Sequence, residues 1–207
     1  MATIKTAEFK YPYVRFLNAY QGSIDFYVNG EKYENTLNFG DFSKYVKVNE
    51  GINELYAKSN SNGEQLSSIT IDFDKNSVYT VAIVSIAGEP SLYGIYEPYE
   101  RDNVSMGHLR ICNLSPNLTK PDIYAGKYKI LGDIDYLEIS KYIPIIPDRY
   151  DFTVKEANSD KVLLNGGVQA IRPGIYNTMY LAGNYDNRPE LTALISVDAA
   201  SYDGMYL

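Results

Sequence analysis

Arginine and asparagine recur at a fixed spacing in this chain, and they are the first candidates for a chemical role. Arg15 and Asn18 return as Arg110 and Asn113, in both cases 95 residues later. A guanidinium group pairs with carboxylates in bidentate geometry, either within the fold or on a ligand. The repeated spacing therefore predicts a feature that two copies of one domain share.

Two aspartates follow these arginines and recur as well. Asp25 and Asp122 are 97 residues apart, so two residues have been inserted in the turn that precedes the second one. Alternation along the strands places each arginine and aspartate on the face opposite to the apolar residues. We predict structural ion pairs on adjacent strands, Arg15 with Asp25 and Arg110 with Asp122, and ligand recognition is the alternative.

The remaining inventory argues against catalysis. His108 is the only histidine, and no acid or thiol stands at ligand spacing from it, so we expect a surface side chain. Segment 72–76 (DFDKN) imitates a calcium loop, but Ser77 replaces the turn glycine and Ile83 replaces the bidentate carboxylate. Nothing brings two carboxylates together, and there is no tryptophan to support a sugar. We predict no enzyme activity, no catalytic residue, no metal and no cofactor.

Cys112 is the only cysteine, which excludes an intrachain disulfide and a thiolate metal cluster. We expect it to be a small buried hydrophobic residue on a strand. The alternatives are an intermolecular disulfide and a reactive thiol.

Charge and hydropathy limit the partners. The net charge is −7, with 19 basic and 26 acidic side chains, so nucleic acid is not an expected partner. No stretch reaches the roughly 18 apolar residues of a membrane span, and segment 1–11 has no apolar run typical of a secretory signal. We expect synthesis and retention in the cytoplasm, or in a spore envelope assembled there. Export with a signal that has been removed is the alternative.

Tyrosine is unusually frequent, with 21 tyrosines beside 7 phenylalanines and no tryptophan. Tyrosine favours strands and combines an apolar ring with a polar tip. The composition indicates either a β-protein with many half-buried positions or a surface built for adhesion and self-assembly.

Alternation and turn residues predict an all-β fold. Segment 24–28 alternates apolar and polar residues before Asn29-Gly30, which is a strong hairpin signal, and 78–86 is the most apolar strand and should be central. Seven or eight short strands with turns every 8 to 12 residues are typical of an antiparallel sandwich. The fold prediction is two tandem antiparallel immunoglobulin-like β-sandwich domains.

The repeat also predicts the domain boundaries. We place an N-terminal arm at 1–12, the first sandwich at 13–97, a linker at 98–107 and the second sandwich at 108–207. Tyr79 returns as Tyr176. In the second copy, prolines flank 145–146, and a strand that contains proline belongs at the edge of a sheet.

Several motifs carry a family resemblance. They are VRFLN (14–18), IDFYVNG (24–30), GI (51–52) and YTV (79–81) in copy one, and LRICN (109–113), SPN (115–117) and DIYAG (122–126) in copy two. Both copies resemble the bacterial domain of unknown function DUF4397, over nearly the whole chain outside the arm and linker. Copy two diverges, because it lacks the asparagine of the hairpin and has Arg149 at the position of Gly51. The resemblance implies tandem immunoglobulin-like sandwiches and no known activity.

The leading functional hypothesis is a non-catalytic structural or interaction protein that binds protein partners or copies of itself. A more specific form is a self-assembling component of a bacterial spore coat or envelope. The alternative is a binding module for a peptide or polysaccharide, with loops at one end of the sandwich forming the site. A third hypothesis is an undetected hydrolase.

Overall fold

The computed structural model describes residues 9–33, 35–98 and 103–202. Residues 9–98 belong to one compact unit and residues 103–201 to a second. The first unit has eight strands: β1 (Tyr13–Asn18), β2 (Ile24–Val28), β3 (Glu31–Lys32), β4 (Val46–Lys47), β5 (Gly51–Ser59), β6 (Gln65–Phe73), β7 (Val78–Ile86) and β8 (Glu89–Tyr96). The second has eight strands and a short 3-10 helix: β9 (Gly107–Asn113), β10 (Asp122–Ala125), β11 (Tyr128–Leu131), β12 (Ile143–Ile145), β13 (Asp148–Lys155), β14 (Val162–Ile171), β15 (Tyr176–Ala182), β16 (Thr192–Val197) and the helix Ala199–Ser201.

Each unit is a sandwich of two four-stranded sheets. The orders are β4-β1-β7-β8 and β3-β2-β5-β6 in the first unit, and β12-β9-β15-β16 and β11-β10-β13-β14 in the second. The two topologies are identical strand for strand, as expected for a duplicated domain. The predicted all-β sandwich class is confirmed.

The core of the first sandwich forms where the apolar faces of its sheets meet. Phe16 on β1 and Phe26 on β2 are fully buried, and their rings stack with centroids 4.7 Å apart. Burying a side chain of this size stabilises the fold by roughly 1.5–3 kcal/mol. The strand β7 lies between β1 and β8 and is central, as its apolar run predicts.

One pair of strands in each unit is parallel, whereas the sequence led us to expect antiparallel pairing throughout. The strand β1 runs parallel to β7, with Arg15 opposite Thr80, and β9 runs parallel to β15, with Arg110 opposite Thr178. The partners are far apart in the chain and are connected through the opposite sheet, so no hairpin imposes their direction.

The hairpin and edge predictions are confirmed. Asn29 and Gly30 have φ values of +49° and +89°, as the β2–β3 turn requires. The strand β12, which contains Pro144, lies at the edge of its sheet. The corresponding strand of copy one, β4, occupies the same edge position without a proline.

Two of the residue correspondences that the sequence predicts between the copies are wrong by one residue. Strand pairing makes Tyr56 and Thr153 equivalent, so Gly51 corresponds to Asp148 rather than to Arg149. Thr80 and Thr178 are also equivalent, which moves the counterpart of Tyr79 from Tyr176 to Asn177. Copy two has one further inserted residue before β15, which increases the spacing between equivalent residues of the two copies.

The arm and linker lie partly outside the described residues, which omit 1–8 and 99–102. Of the predicted arm, Phe9 is only 1% exposed, and its ring contacts that of Tyr13. At the end of the predicted linker, Gly107 already begins β9, and a side chain there would collide with Ile171. In the part of the chain that is described, no helix is long and apolar enough to cross a membrane.

Candidate functional site

The recurring arginine of the first domain lies in a buried polar network. Arg15 Nη2 is 3.1 Å from Glu97 Oε1, and the two side chains are 4% and 0% exposed. Arg15 Nε donates to Thr80 Oγ1 at 2.7 Å, and the Thr80 hydroxyl in turn donates to Glu97. Tyr45 OH donates to Glu97 Oε2 at 2.6 Å, and its ring lies 4.8 Å from the guanidinium carbon. An arginine, a threonine and a tyrosine thus surround one buried carboxylate.

The second domain repeats this network with aspartate as the acid. Arg110 Nε is 3.5 Å from Asp198 Oδ2, and it donates to Thr178 Oγ1 at 2.7 Å. Thr178 Oγ1 donates to the same carboxylate. Tyr142 OH donates to it at 2.6 Å, and the Tyr142 ring lies 4.8 Å from the guanidinium carbon.

The predicted pairs Arg15–Asp25 and Arg110–Asp122 are therefore wrong. Asp25 Oδ2 instead lies 2.8 Å from Lys32 Nζ, and Asp122 Oδ1 lies 2.6 Å from Lys129 Nζ. The prediction failed because the strand of each arginine and the strand of the following aspartate belong to opposite sheets.

Asp25 is held as a carboxylate by its own surroundings. Burial raises its pKa, but hydrogen bonds from Lys32, Thr36 and Asn60 outweigh burial and leave the pKa below its ordinary value. Thr36 Oγ1 donates to Asp25 at 2.6 Å and Asn60 Nδ2 donates at 3.2 Å. Asp25 therefore connects the β2–β3 hairpin to the loop after β5.

The recurring asparagines hold loops in place. Asn18 is fully buried, and its Nδ2 donates to the carbonyls of Gly22 and Leu37, both at 2.9 Å. Its Oδ1 accepts the Tyr20 N–H at 2.9 Å. These three hydrogen bonds fix the crossing from one sheet to the other.

Asn113 does the same in the second domain. Its Nδ2 donates to the carbonyls of Leu118 at 2.9 Å and Ile134 at 3.2 Å, and its Oδ1 accepts the Ser115 N–H at 3.1 Å. The two asparagines thus make the same set of bonds to their surroundings.

The prediction that His108 lies at the surface is wrong, because its side chain is only 3% exposed. Its ring stacks on that of Tyr176 with centroids 4.1 Å apart, and its Nε2 is 3.1 Å from the Asn103 carbonyl oxygen. Across the described residues, no group of three or more His, Cys, Asp or Glu side chains is placed to hold a metal ion.

Cys112 lies on β9 and is fully buried, as expected for a small hydrophobic residue. Burial raises the pKa of its thiol to about 12. The thiolate, which is the reactive form, is therefore disfavoured at neutral pH.

We expect Cys112 to be inert toward a thiol reagent until the second domain unfolds. The native protein should react with Ellman's reagent orders of magnitude more slowly than protein in guanidinium chloride, because both access and ionisation are blocked. The measurement is the rate of absorbance increase in each state. Rapid reaction of the native chain at neutral pH would contradict the buried placement.

An open cleft lies at the surface of the first domain, and we call it the β3–β4 cleft. Its volume is about 700 Å³. It is lined by residues of the β2–β3 hairpin, the β4 segment and the start of β5: Val28, Asn29, Glu31, Lys32, Tyr33, Lys44, Tyr45, Val46, Lys47, Val48, Asn49 and Asn53. The sequence alone did not indicate this site, because its lining comes from three separate segments.

The tyrosines occupy several environments. Tyr27 and Tyr56 are partly exposed, and they stack across two strands with ring centroids 4.6 Å apart. Lys58 Nζ lies 5.2 Å from the first centroid and 5.5 Å from the second. Tyr180 is fully buried, whereas Tyr128 is 65% exposed.

Comparison with protein-family models matches the chain twice to one family, described as a domain of unknown function (DUF4397). The matches cover residues 12–120 and 107–204. No curated protein matches the chain. The matches include both arginine networks and both loop-holding asparagines, and together they span almost the whole chain. The chain therefore belongs to the DUF4397 family and carries two copies of its domain in tandem.

Proposed function

We propose that this protein is a non-catalytic structural or interaction protein that acts through contacts at its surfaces. The observation that carries the proposal is the burial of the recurring polar residues. In both copies the arginine, asparagine, threonine and acid are buried, and they bind one another or the backbone. A catalytic group must reach its substrate, whereas Glu97 and Asp198 are 0% exposed.

Self-association is the leading form of this proposal. The ten-residue strand β14 lies at the edge of its sheet, and Val162 and Val168 on it are 45% and 52% exposed. A long edge strand with exposed apolar side chains is a template for pairing with another chain. The finer form is assembly in a bacterial spore coat or envelope, and expression of the gene during sporulation would test that form.

We expect the full chain to self-associate with rising concentration, and we expect Val162→Lys combined with Val168→Lys to weaken that association. Lysine on an edge strand opposes pairing, because the charge would be desolvated in the contact. Sedimentation velocity over a concentration series measures the effect.

Val104→Lys is the matched control, because Val104 is 66% exposed but lies in a turn before β9. It should leave association unchanged. A wild-type chain that stays a strict monomer at high concentration would contradict self-association, and equal effects of the β14 variants and the control would exclude the β14 edge.

The second candidate function is a binding module for a peptide or polysaccharide. The observation that favours it is the β3–β4 cleft, whose volume lies within the usual range of ligand sites. The cleft is lined by the edge strands β3 and β4 and by the turn and loop residues beside them.

A further inference from the structure

The β3–β4 cleft lies along one side of the first sandwich, and the hydrogen bond from the Lys44 N–H to Tyr33 OH crosses that side. On the other side the sheet edges β6 and β8 approach each other, and the Leu92 N–H donates to Ser67 Oγ at 3.0 Å. On the cleft side each sheet ends in a strand of only two residues, β3 and β4. Edge strands leave backbone donors and acceptors on their outer side, where an extended chain can pair.

The charge of the cleft is positive, in contrast to that of the whole chain. Lys32, Lys44 and Lys47 line it together with one acid, Glu31. Lys32 is paired with Asp25. Lys47 Nζ lies 3.3 Å from the centroid of the Tyr11 ring. Among the described residues, neither Lys44 nor Lys47 has a carboxylate within ion-pair distance, so neither charge is neutralised, and an anionic ligand would meet the Lys47 ammonium beside the Tyr11 ring.

The other walls of the cleft are fixed by internal contacts. Asn29 Nδ2 donates to Asn53 Oδ1 at 2.8 Å, and Asn53 Nδ2 donates to two backbone carbonyls. Tyr33 OH accepts the Lys44 N–H at 3.1 Å. The Tyr45 ring already contacts the Arg15 guanidinium, so that face does not serve as a platform for a sugar ring. These contacts favour a peptide over a polysaccharide.

The second domain provides an internal comparison, because its equivalent residues lie 97 positions later. Lys32, Lys44 and Tyr45 are retained as Lys129, Lys141 and Tyr142, the acid Glu31 is replaced by Tyr128, and other cleft residues become apolar. The changes are Tyr33 to Ile130, Lys47 to Pro144 and Asn49 to Ile146. Ile146 is 68% exposed. The scaffold and two of the three cleft lysines are therefore kept in both copies, while Lys47, Tyr33 and Asn49 are specific to copy one.

We propose that the β3–β4 cleft binds an acidic peptide segment in extended conformation, with carboxylates on Lys44 and Lys47. The inference deepens the proposed function, because it assigns a ligand class to a protein that acts through binding. Alternate side chains of an extended peptide point to one side, so an acidic residue at every second position would face the lysines. The outer edges of β3 and β4 supply backbone pairing.

The test titrates the full chain with a fluorescent hexapeptide, acetylated and amidated, in which glutamate alternates with valine. Anisotropy gives the affinity, and nuclear magnetic resonance shift changes on the ¹⁵N-labelled chain locate the site. We expect saturable binding that weakens with salt and shifts amides of β3 and β4. Lys44→Glu combined with Lys47→Glu should weaken binding at least about tenfold, because two attractive contacts become repulsive.

Lys141→Glu is the matched control, because Lys141 is the copy-two counterpart of Lys44 and is also exposed. It should leave the affinity unchanged, and a peptide with glutamine in place of glutamate should not bind. Circular dichroism establishes that each variant is folded. Absent binding, equal affinity of the double variant, or a glutamine peptide that binds equally well would overturn the proposal.

A linear polygalacturonate is the competing probe. If it binds in the cleft and the peptide does not, the site recognises a polysaccharide and the peptide proposal fails. If the peptide does not bind while sedimentation still shows self-association, only the present inference fails. A chain that neither binds the peptide nor self-associates removes the support for both.

Discussion

Replacing Glu97 by alanine should destabilise the first domain more than any substitution at its surface. The change leaves the Arg15 guanidinium buried without its carboxylate, and it removes the acceptor of the Tyr45 and Thr80 hydroxyls. Removing one partner of a buried ion pair costs about 3–5 kcal/mol of unfolding free energy. Urea denaturation followed by circular dichroism measures the loss.

Glu89→Ala is the matched control, because Glu89 is the exposed first residue of the adjacent strand β8. It should change the unfolding free energy by less than about 0.5 kcal/mol. The same cost for both substitutions would contradict a buried network. Replacing Arg15 by methionine and Glu97 by leucine together should cost less than Glu97→Ala alone, because no charge then remains buried without a partner.

The fold was predictable because its signals are local. Alternation around Phe16 and Phe26 identifies core strands, and Asn29-Gly30 identifies a hairpin, since each depends on neighbours in the chain. Pairing between distant strands has no such local signal. The parallel contact of β1 with β7 depends on the path of the chain through the opposite sheet, and simple alternation does not report that path.

The polar network was predictable only in part for the same reason. Arg15 and Asn18 stand out because they recur at one spacing within a single strand. The true partners of Arg15 recur at other spacings: Tyr45 returns after 97 residues, Thr80 after 98 and Glu97 after 101, the last with a change to aspartate. Insertions between strands accumulate along the chain, so the acid that matters could not be identified by a constant offset.

A usable signal for that acid existed in the chain. An acidic residue directly follows the last strand of each copy. Glu97 follows β8, and Asp198 follows β16. The backbone N–H of Glu97 donates to the Val78 carbonyl, and that of Asp198 donates to the Tyr176 carbonyl, both at 2.8 Å. Aligning the two copies strand by strand would have paired these acids.

Replacing Asn18 by alanine should cost the first domain about 3 kcal/mol or more, because a buried polar group left unsatisfied costs roughly 1–3 kcal/mol. The change removes both donors to the Gly22 and Leu37 carbonyls and the acceptor of the Tyr20 N–H. Alanine also leaves a void where the amide was packed. The midpoint of urea unfolding should fall, with an unchanged slope if the transition remains two-state.

Two further substitutions test whether the loss of stability is specific to the Asn18 amide or is a general cost of losing an asparagine. Asn35→Ala removes an exposed side chain from the loop after β3 and should be close to neutral. Asn18→Asp keeps the volume and the acceptor but loses both donors, so it should destabilise at neutral pH as Asn18→Ala does. If Asn18→Asp were harmless, packing rather than the two donated hydrogen bonds would explain the recurrence of this residue. Asn113 makes the equivalent three bonds in the second domain, so Asn113→Ala should reproduce the loss there.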